Sequence, residues 1–344
     1  MAGAVKPNIV VAGAGSVGCY IGGCLAEAGR NVTLLLRPSL AGIIASHGLR
    51  LSDLTGADRT LPSSAIRLAT DPAAAFAEAD IVLVTVKCGD TAAMARLIGE
   101  HAPDGVTVVS LQNGVGNVDT LLAHAGGTGR IVAGMVPFNV VQTHGDGGAV
   151  RFHRATSGTI LIGSGQAGLK DMLDVPPAKV AEHADMPGVL WSKLLRNLNN
   201  ALVALSDLPL ATQLSDKRWR RILARQIAEA LRVLKAAGVE PARMEGLAPK
   251  MIPRVLRLPD WLFRRVAARM LAVDPQARSS MWEDLARGRA TEIDYLQGAV
   301  LALAREHAVR APVTEGIVRL VKQAEAARAG SPGLGADALE RAIR

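Results

Sequence analysis

Residues 190–202, LWSKLLRNLNNAL, put Lys193, Asn197 and Asn200 at i, i+4 and i+7, so one face of a helix carries all three. An ammonium there can stabilise negative charge developing on an oxygen and hand that oxygen a proton, while an amide one turn on can hold a polar substrate. Asparagine is a poor helix former because its amide competes for nearby backbone groups, and solvated helix faces draw mainly on Glu, Lys, Gln and Arg. The bland alternative is a solvated stripe in which Lys193 lays its stem along the surface. Leu190, Leu194, Leu198 and Leu202 form a second, apolar face, the one expected to pack inward.

A second constellation stands near the start of the chain. GAGSVG, residues 13–18, follows the apolar run Ile9–Ala12 and opens a helical segment containing Tyr20–Ala28, the context that a dinucleotide-binding GxGxxG requires. Gly13 permits the tight turn, Gly15 lets the backbone approach a pyrophosphate, and Gly18 allows close helix–sheet packing. The amides of Ser16 and Val17 at the helix N-terminus then meet the phosphates. The second strand should end in an acid that binds a ribose hydroxyl; LLLRPS ends it in Arg37, 19 residues beyond Gly18. A guanidinium grips a 2′-phosphate that a carboxylate would repel, which points to NADPH rather than NADH, although an arginine at a strand end can also be simply solvated. Lys87 in VTVK and Asn113 in LQNG occupy the carboxyl ends of two later apolar runs, where a doubly wound sheet binds its ligands. Each is also an ordinary residue type for a turn after a strand.

The elements that would position these residues fall into two halves. NIVVAG (8–13), NVTLLL (31–36), DIVLVTV (80–86) and VTVVSL (106–111) are near-continuous apolar runs, the pattern of parallel strands covered on both faces. Ala-rich helical segments alternate with them. IVAGMVPFNVV (131–141) and TSGTILIGSG (156–165) read as later strands, with HGDGGAV (144–150) as a turn. After about residue 180 the segments 187–206, 216–238, 262–272, 280–288, 291–308 and 312–328 read as helices. The stiff pair Pro176-Pro177 marks the boundary, giving a Rossmann-type α/β domain over 1–178 and an all-α domain over 179–344. AGSPGLGAD reads as a loose connection before a last short helix.

Composition narrows the function classes. The chain has 344 residues, 49% of them hydrophobic and only 3% aromatic, so its cores must be built from Leu, Val, Ile and Ala. Cys19, Cys24 and Cys88 lack the spacing of a disulfide framework or a zinc site, and the seven histidines are scattered; no metal is expected, and a reducing cytoplasm fits best. No uncharged apolar run reaches the ~18 residues that span a bilayer. The net charge of +8 is uneven: residues 1–178 hold 12 Lys and Arg against 13 Asp and Glu, and residues 179–344 hold 27 against 18. KRWRR (217–221) and the stretch 253–270 are basic with apolar interleaving, which allows weak contact with an anionic surface, but solvated helix faces are the commoner outcome. Nucleic acid is not an expected partner, since too few aromatics are present for base stacking.

Taken together, GAGSVG, LLLR, VTVK, QNGVG, LWSKLLRN and SSMWEDLARGRATEIDYLQG resemble, in order and over most of the chain, the ketopantoate reductase (2-dehydropantoate 2-reductase) family. The last two blocks are the specific ones. The resemblance implies a Rossmann domain joined to a helical domain and NADPH-dependent reduction of a 2-keto acid, ketopantoate to pantoate, for pantothenate and coenzyme A synthesis. It further implies that Lys193 is the general acid and that Glu292 orients it or binds a substrate hydroxyl. Asn197, Asn200 and Ser280 would bind the substrate and Asp284 would support the site; Asn113 would contact nicotinamide or substrate, and Lys87 would sit beside the reacting keto acid. Local alternatives stand beside these roles. Ser280 with Glu283 spells S-x-x-E, a capping box, and Glu292 with Asp294 opens a helix whose positive end favours carboxylates. Many relatives have a second helix asparagine four residues after the first, followed by proline; here Ala201 occupies that position and Asn200 precedes it. An arginine-rich segment at 243–278 is also expanded. The other readings are a same-fold reductase of another branched 2-keto acid and a non-catalytic NADPH-binding scaffold; a homodimer is compatible with any of them.

Overall fold

The computed structural model describes residues 6–126, 129–145, 148–244, 246–268 and 276–343. The chain divides into two compact units, Met1–Met186 and Pro187–Arg344.

Among the described residues the first unit is built on twelve strands: β1 (Asn8–Ala12), β2 (Asn31–Leu35), β3 (Leu49–Asp53), β4 (Asp58–Leu61), β5 (Arg67–Ala69), β6 (Ile81–Val84), β7 (Thr107–Ser110), β8 (Ile131–Met135), β9 (Val140–His144), β10 (Val150–Arg154), β11 (Ile160–Gly163) and β12 (Val180–His183). Eight of them form one sheet in the order β12-β11-β8-β7-β6-β1-β2-β5. The six from β8 to β5 are mutually parallel, and β6 and β7, two of the unbroken apolar runs, are buried along their whole length. Chain order reverses at β1, between β2 and β6, which is where a doubly wound sheet opens a crevice. The register there matters for function. Ala12 pairs with Leu35 on one side and Val84 on the other, and Val84 pairs with Ser110, so four strand ends form one row. Helices α1 (Ser16–Glu27) and α2 (Pro38–His47) leave that row after β1 and β2.

Three features depart from the sequence reading. The run 131–141 is not one strand: Pro137 lies between β8 in the large sheet and β9 in a second, four-stranded sheet ordered β4-β3-β10-β9. That small sheet leaves no strand signal in the sequence, because its strands are short and mix polar with apolar residues, as in LRLSD and RFHR. The helical half begins after β12 rather than at residue 179, because Val180–His183 pairs in parallel with β11 and extends the sheet edge. The 144–150 turn joins β9 to β10; its residues 146 and 147 lie outside the described residues.

The second unit contains only helices and turns among its described residues. The helices that carry the predicted site residues or pack beside them are α3 (Met186–Asn197), α4 (Asn199–Ser206), α5 (Lys217–Ala236), α6 (Ser280–Ala286), α7 (Ile293–Glu306) and α8 (Pro312–Ala327). Buried polar side chains fasten them. Glu229 of α5 is 4% exposed and accepts from Val313 N–H at 3.0 Å and from the Thr314 N–H and hydroxyl at 2.9 Å each. It thereby satisfies amides at the start of α8 that no helical carbonyl can reach.

Candidate active site

At the row of strand ends the glycines divide their work. Gly13 has φ of +75°, and a Cβ there would lie 2.1 Å from Val86 Cγ1, so the turn excludes any other residue. Thr85 holds the turn from the side, its hydroxyl 3.1 Å from Gly13 O. A Cβ on Gly18 would lie 2.5 Å from Thr85 Oγ1 and 2.9 Å from Val11 Cγ1, so α1 packs directly on the sheet. Gly15 differs: its nearest neighbour would be Gly13 O at 4.0 Å, and the residue is exposed. The protein's own packing does not require a glycine there, whereas a pyrophosphate resting on the backbone does. Cys19 N–H makes the first bond of α1, to Gly15 O at 2.8 Å. The amides of Ser16, Val17 and Gly18 come before that ladder, in the position from which helix starts bind anions. The residues present therefore fit a dinucleotide.

Arg37 follows β2 and is the N-cap of α2; it is exposed and makes no side-chain hydrogen bond or ion pair among the described residues. Lys87 and Asn113 follow β6 and β7, Lys87 exposed and Asn113 half-buried. Below them lies a polar network absent from the sequence reading. Gln112 donates to Val86 O at 3.1 Å and to Thr91 Oγ1 at 2.7 Å and accepts from Ser110 Oγ at 3.1 Å. Asn113 O accepts from Asn117 Nδ2 at 2.7 Å and from the Cys88 thiol at 2.9 Å. These bonds tie the Lys87 and Asn113 loops into one platform. The near-complete burial of Gln112, Thr91 and Asn117 makes each bond costly to lose.

The other predicted residues lie on α3, α4, α6 and α7. One residue, Leu198, separates α3 from α4, and two side chains from far along the chain bond to carbonyls at this joint. Gln297 of α7, fully buried, donates to Leu198 O at 3.0 Å. Ser279, just before α6, donates to Asn200 O at 2.9 Å. The joint 198–200 is thus where α6 and α7 are fastened to the α3–α4 rod. Lys193, Asn197 and Asn200, all half-buried, lie on that rod; exposed Ser280 and buried Asp284 lie on α6; half-buried Glu292 begins α7. Asp207, at the end of α4, has φ of +59° and is clamped by Trp282 Nε1 and Arg278 Nη1, each 2.8 Å from its Oδ1. Arg278 stacks on the Trp282 ring at 4.4 Å.

Two local alternatives resolve here. The cap of α6 is Ser279, which accepts from Trp282 N–H at 3.1 Å; Ser280 is the first helical residue, so its proposed capping box does not form. Glu292 makes no capping bond; Thr291 does so, accepting from Ile293 N–H at 3.2 Å. Thr291 in turn gives its N–H and its hydroxyl to Glu325 Oε1, each at 2.7 Å. Burial pushes the Glu325 carboxyl up, but those two bonds and Lys322 outweigh it and hold the group below the usual glutamate range.

The family model described as ketopantoate reductase PanE/ApbA matches residues 9–167, and the model for the C-terminal part of the same family matches residues 185–325. The chain belongs to the ketopantoate reductase family. It is similar to the 2-dehydropantoate 2-reductase of Halobacterium salinarum, 32% identical over 333 residues that cover 92% of this chain and 99% of that protein. A PanE/ApbA family ketopantoate reductase from Ralstonia eutropha JMP134 matches in structure with a TM-score of 0.78 at 29% identity, covering 93% of this chain and 99% of the other. The 2-dehydropantoate 2-reductase of Geobacter metallireducens GS-15 matches with a TM-score of 0.74 at 26% identity, covering 92% and 99%. This ketopantoate reductase family chain is thus an oxidoreductase with a Rossmann-like N-terminal part and a helical C-terminal part.

The basic segments of this family member have a structural use. Arg220 in KRWRR is fully buried, stacks on Phe263 at 4.2 Å and donates to the carbonyls of Leu214, Ser215, Leu256 and Leu258 at 3.0–3.1 Å and to Asp260 at 2.6 Å. In 253–266, Val255, Leu256 and Phe263 face inward while Arg254, Arg257, Arg264, Arg265 and Trp261 face out. Residues 269–275, which include the end of the 262–272 helix and of the 253–270 stretch, lie outside the described residues. Among the described residues no group of side chains could hold a metal ion, and no helix is long and apolar enough to cross a membrane.

Proposed function

We propose that this chain is an NADPH-dependent 2-dehydropantoate 2-reductase. The observation that carries the reading is the joint at Leu198–Asn200, where the elements bearing Lys193, Asn197, Asn200, Ser280, Asp284 and Glu292 are cross-fastened. A polar stripe with no chemical task needs no such bracing.

Bound NADPH supplies a hydride to the carbonyl carbon of the 2-keto acid. As the C=O bond becomes C–O, Lys193 Nζ stabilises the charge arriving on the oxygen and gives it a proton, so that the product is a 2-hydroxy acid. Glu292 orients the ammonium or accepts from the substrate's hydroxyl. The amides of Asn197 and Asn200 hold substrate, with Ser280 binding it and Asp284 supporting the site. Ser16 and Val17 N–H groups hold the pyrophosphate, and Lys87 and Asn113 line the nicotinamide end. Arg37, unengaged and exposed at the start of α2, grips the 2′-phosphate; the helix N-terminus beside it adds positive potential of the same sign. In this reading the product enters pantothenate synthesis and the chain works in the cytoplasm.

The test is NADPH oxidation measured with ketopantoate beside a panel of other branched 2-keto acids. Ketopantoate should be reduced fastest, and faster with NADPH than with NADH. Equal, very slow rates with every acid overturn the reading. A distinctly faster rate with another member of the panel reassigns the substrate but keeps the chemistry.

A further inference from the structure

Glu292 is flanked on both sides by bonds to α8. Before it, Thr291 is 7% exposed and gives both its donors to Glu325 Oε1 at 2.7 Å. After it, Ile293 N–H is held by Thr291 Oγ1 at 3.2 Å, and Asp294 takes an ion pair from Lys322. Lys322 also meets Glu325 Oε2 at 3.0 Å, so the two halves of the clamp are a single connected unit. The frame behind it is anchored, since Glu229 ties the first residues of α8 to α5. Glu292 itself does not cap α7, so its backbone is held by its neighbours while its carboxylate is spared that task.

From this arrangement we infer that Glu325, acting through Thr291 and joined to Lys322, is the positioning residue for Glu292 in the reduction. The inference rests on the catalytic role of Glu292 given under Proposed function. A helix start is ordinarily free to fray by a residue or two. A carboxylate that must meet a substrate hydroxyl or a lysine ammonium tolerates little such freedom, because small misplacements of a reacting group are costly in rate. Charge-assisted bonds to Thr291 are stronger than a neutral cap. They hold the peptide that leads into Glu292 without touching the carboxylate.

A double-mutant cycle in the full-length chain tests this. Glu325→Ala should lower kcat by about 10- to 100-fold with little change in the KM for NADPH. In a Glu292→Ala background the same substitution should lower the residual kcat by less than about twofold, since there is no longer a carboxylate to position. Thr291→Val, which deletes the hydroxyl bonds but keeps the N–H, should lower kcat by about 3- to 10-fold, and Thr291→Ser should restore it. The Thr291 pair carries the test by itself if Glu325→Ala fails to fold. Equal losses from Glu325→Ala in both backgrounds, or equal kcat for Thr291→Val and Thr291→Ser, overturn the positioning while leaving Glu292 catalytic. Near-normal turnover of Glu292→Ala overturns the role of Glu292 itself, and the positioning with it.

Discussion

The two ends of the proposed chemistry are built by opposite means. At the row of strand ends in the first unit the working groups are mostly backbone: a left-handed turn at Gly13, an open Gly15 and the amides that begin α1. Their geometry follows from strand register and from residues within a few positions of one another. At the α3–α4 joint the working groups are side chains, and the backbone is the part being held, by Ser279 from 79 residues away and Gln297 from 99. A backbone site is specified where glycine is required. A side-chain site is specified by whatever stops its helices from sliding.

This contrast can be broken most sharply at Lys193. Lys193→Ala should cut kcat by ~10²–10⁴-fold, the range of general-acid catalysis, with the KM for NADPH nearly unchanged; Asn197→Ala should mainly raise the KM for the keto acid. A folded Lys193→Ala enzyme with near-normal kcat would show the polar stripe to be mere surface. The next effect belongs to the other unit. Arg37→Ala should raise the KM for NADPH by about 10- to 150-fold, the worth of a charge-assisted contact, and leave that for NADH alone. Equal losses for both cofactors would make Arg37 structural.

Smaller effects should separate the glycines. Gly18→Ala forces a Cβ to 2.5 Å from Thr85 Oγ1 and should cost about 1–3 kcal/mol in denaturant unfolding through overpacking. Gly15→Ala should leave unfolding within about 0.5 kcal/mol of the parent, since a Cβ there meets nothing nearer than Gly13 O at 4.0 Å, yet weaken NADPH in equilibrium titration through the proposed pyrophosphate contact. Matching stability losses for the two would remove the ligand from the argument. Ser279→Ala deletes the cap of α6 and the bond to Asn200 O. It should cost about 1 kcal/mol and raise the KM for the keto acid but not for NADPH. The faintest effect is one of pH. Glu325 has a folded pKa below its unfolded value, so its contribution to stability is present above the unfolded pKa and is lost as pH falls through the folded one. Glu325→Gln should flatten that acid limb in thermal melts.

Legibility in the sequence follows the same division. The large parallel sheet announced itself because its strands are buried on both faces and so are unbroken apolar runs, and the glycine turn is a contiguous motif. The small sheet did not, because a buried strand that carries polar residues, such as LRLSD, looks like polar loop when one of its partners, 151–154, is a hundred residues away. Lys193 and Asn197 share α3 as their helical spacing predicts, whereas the turn at Leu198 puts Asn200 on α4. The platform of Thr91, Gln112 and Asn117 was not legible, since its bonds join side chains to one another and to carbonyls across separate segments and leave no periodic trace. The serine pair at 279–280 shows the limit of a local rule: S-x-x-E fits Ser280, but the chain starts the helix one residue earlier and gives the cap to Ser279.

Arg220 has a consequence for how the molecule opens. Its donors stitch residues 214–215, the carbonyls of Leu256 and Leu258, and Asp260 onto α5. The short helices Ile252–Leu256 and Asp260–Val266 would otherwise be expected to fray independently. Stitched by one buried cation, they should exchange their amide hydrogens on the timescale of α5, as one cooperative unit. Arg220→Met would then uncouple them, speeding exchange in 252–266 while the interior of α5 stays protected.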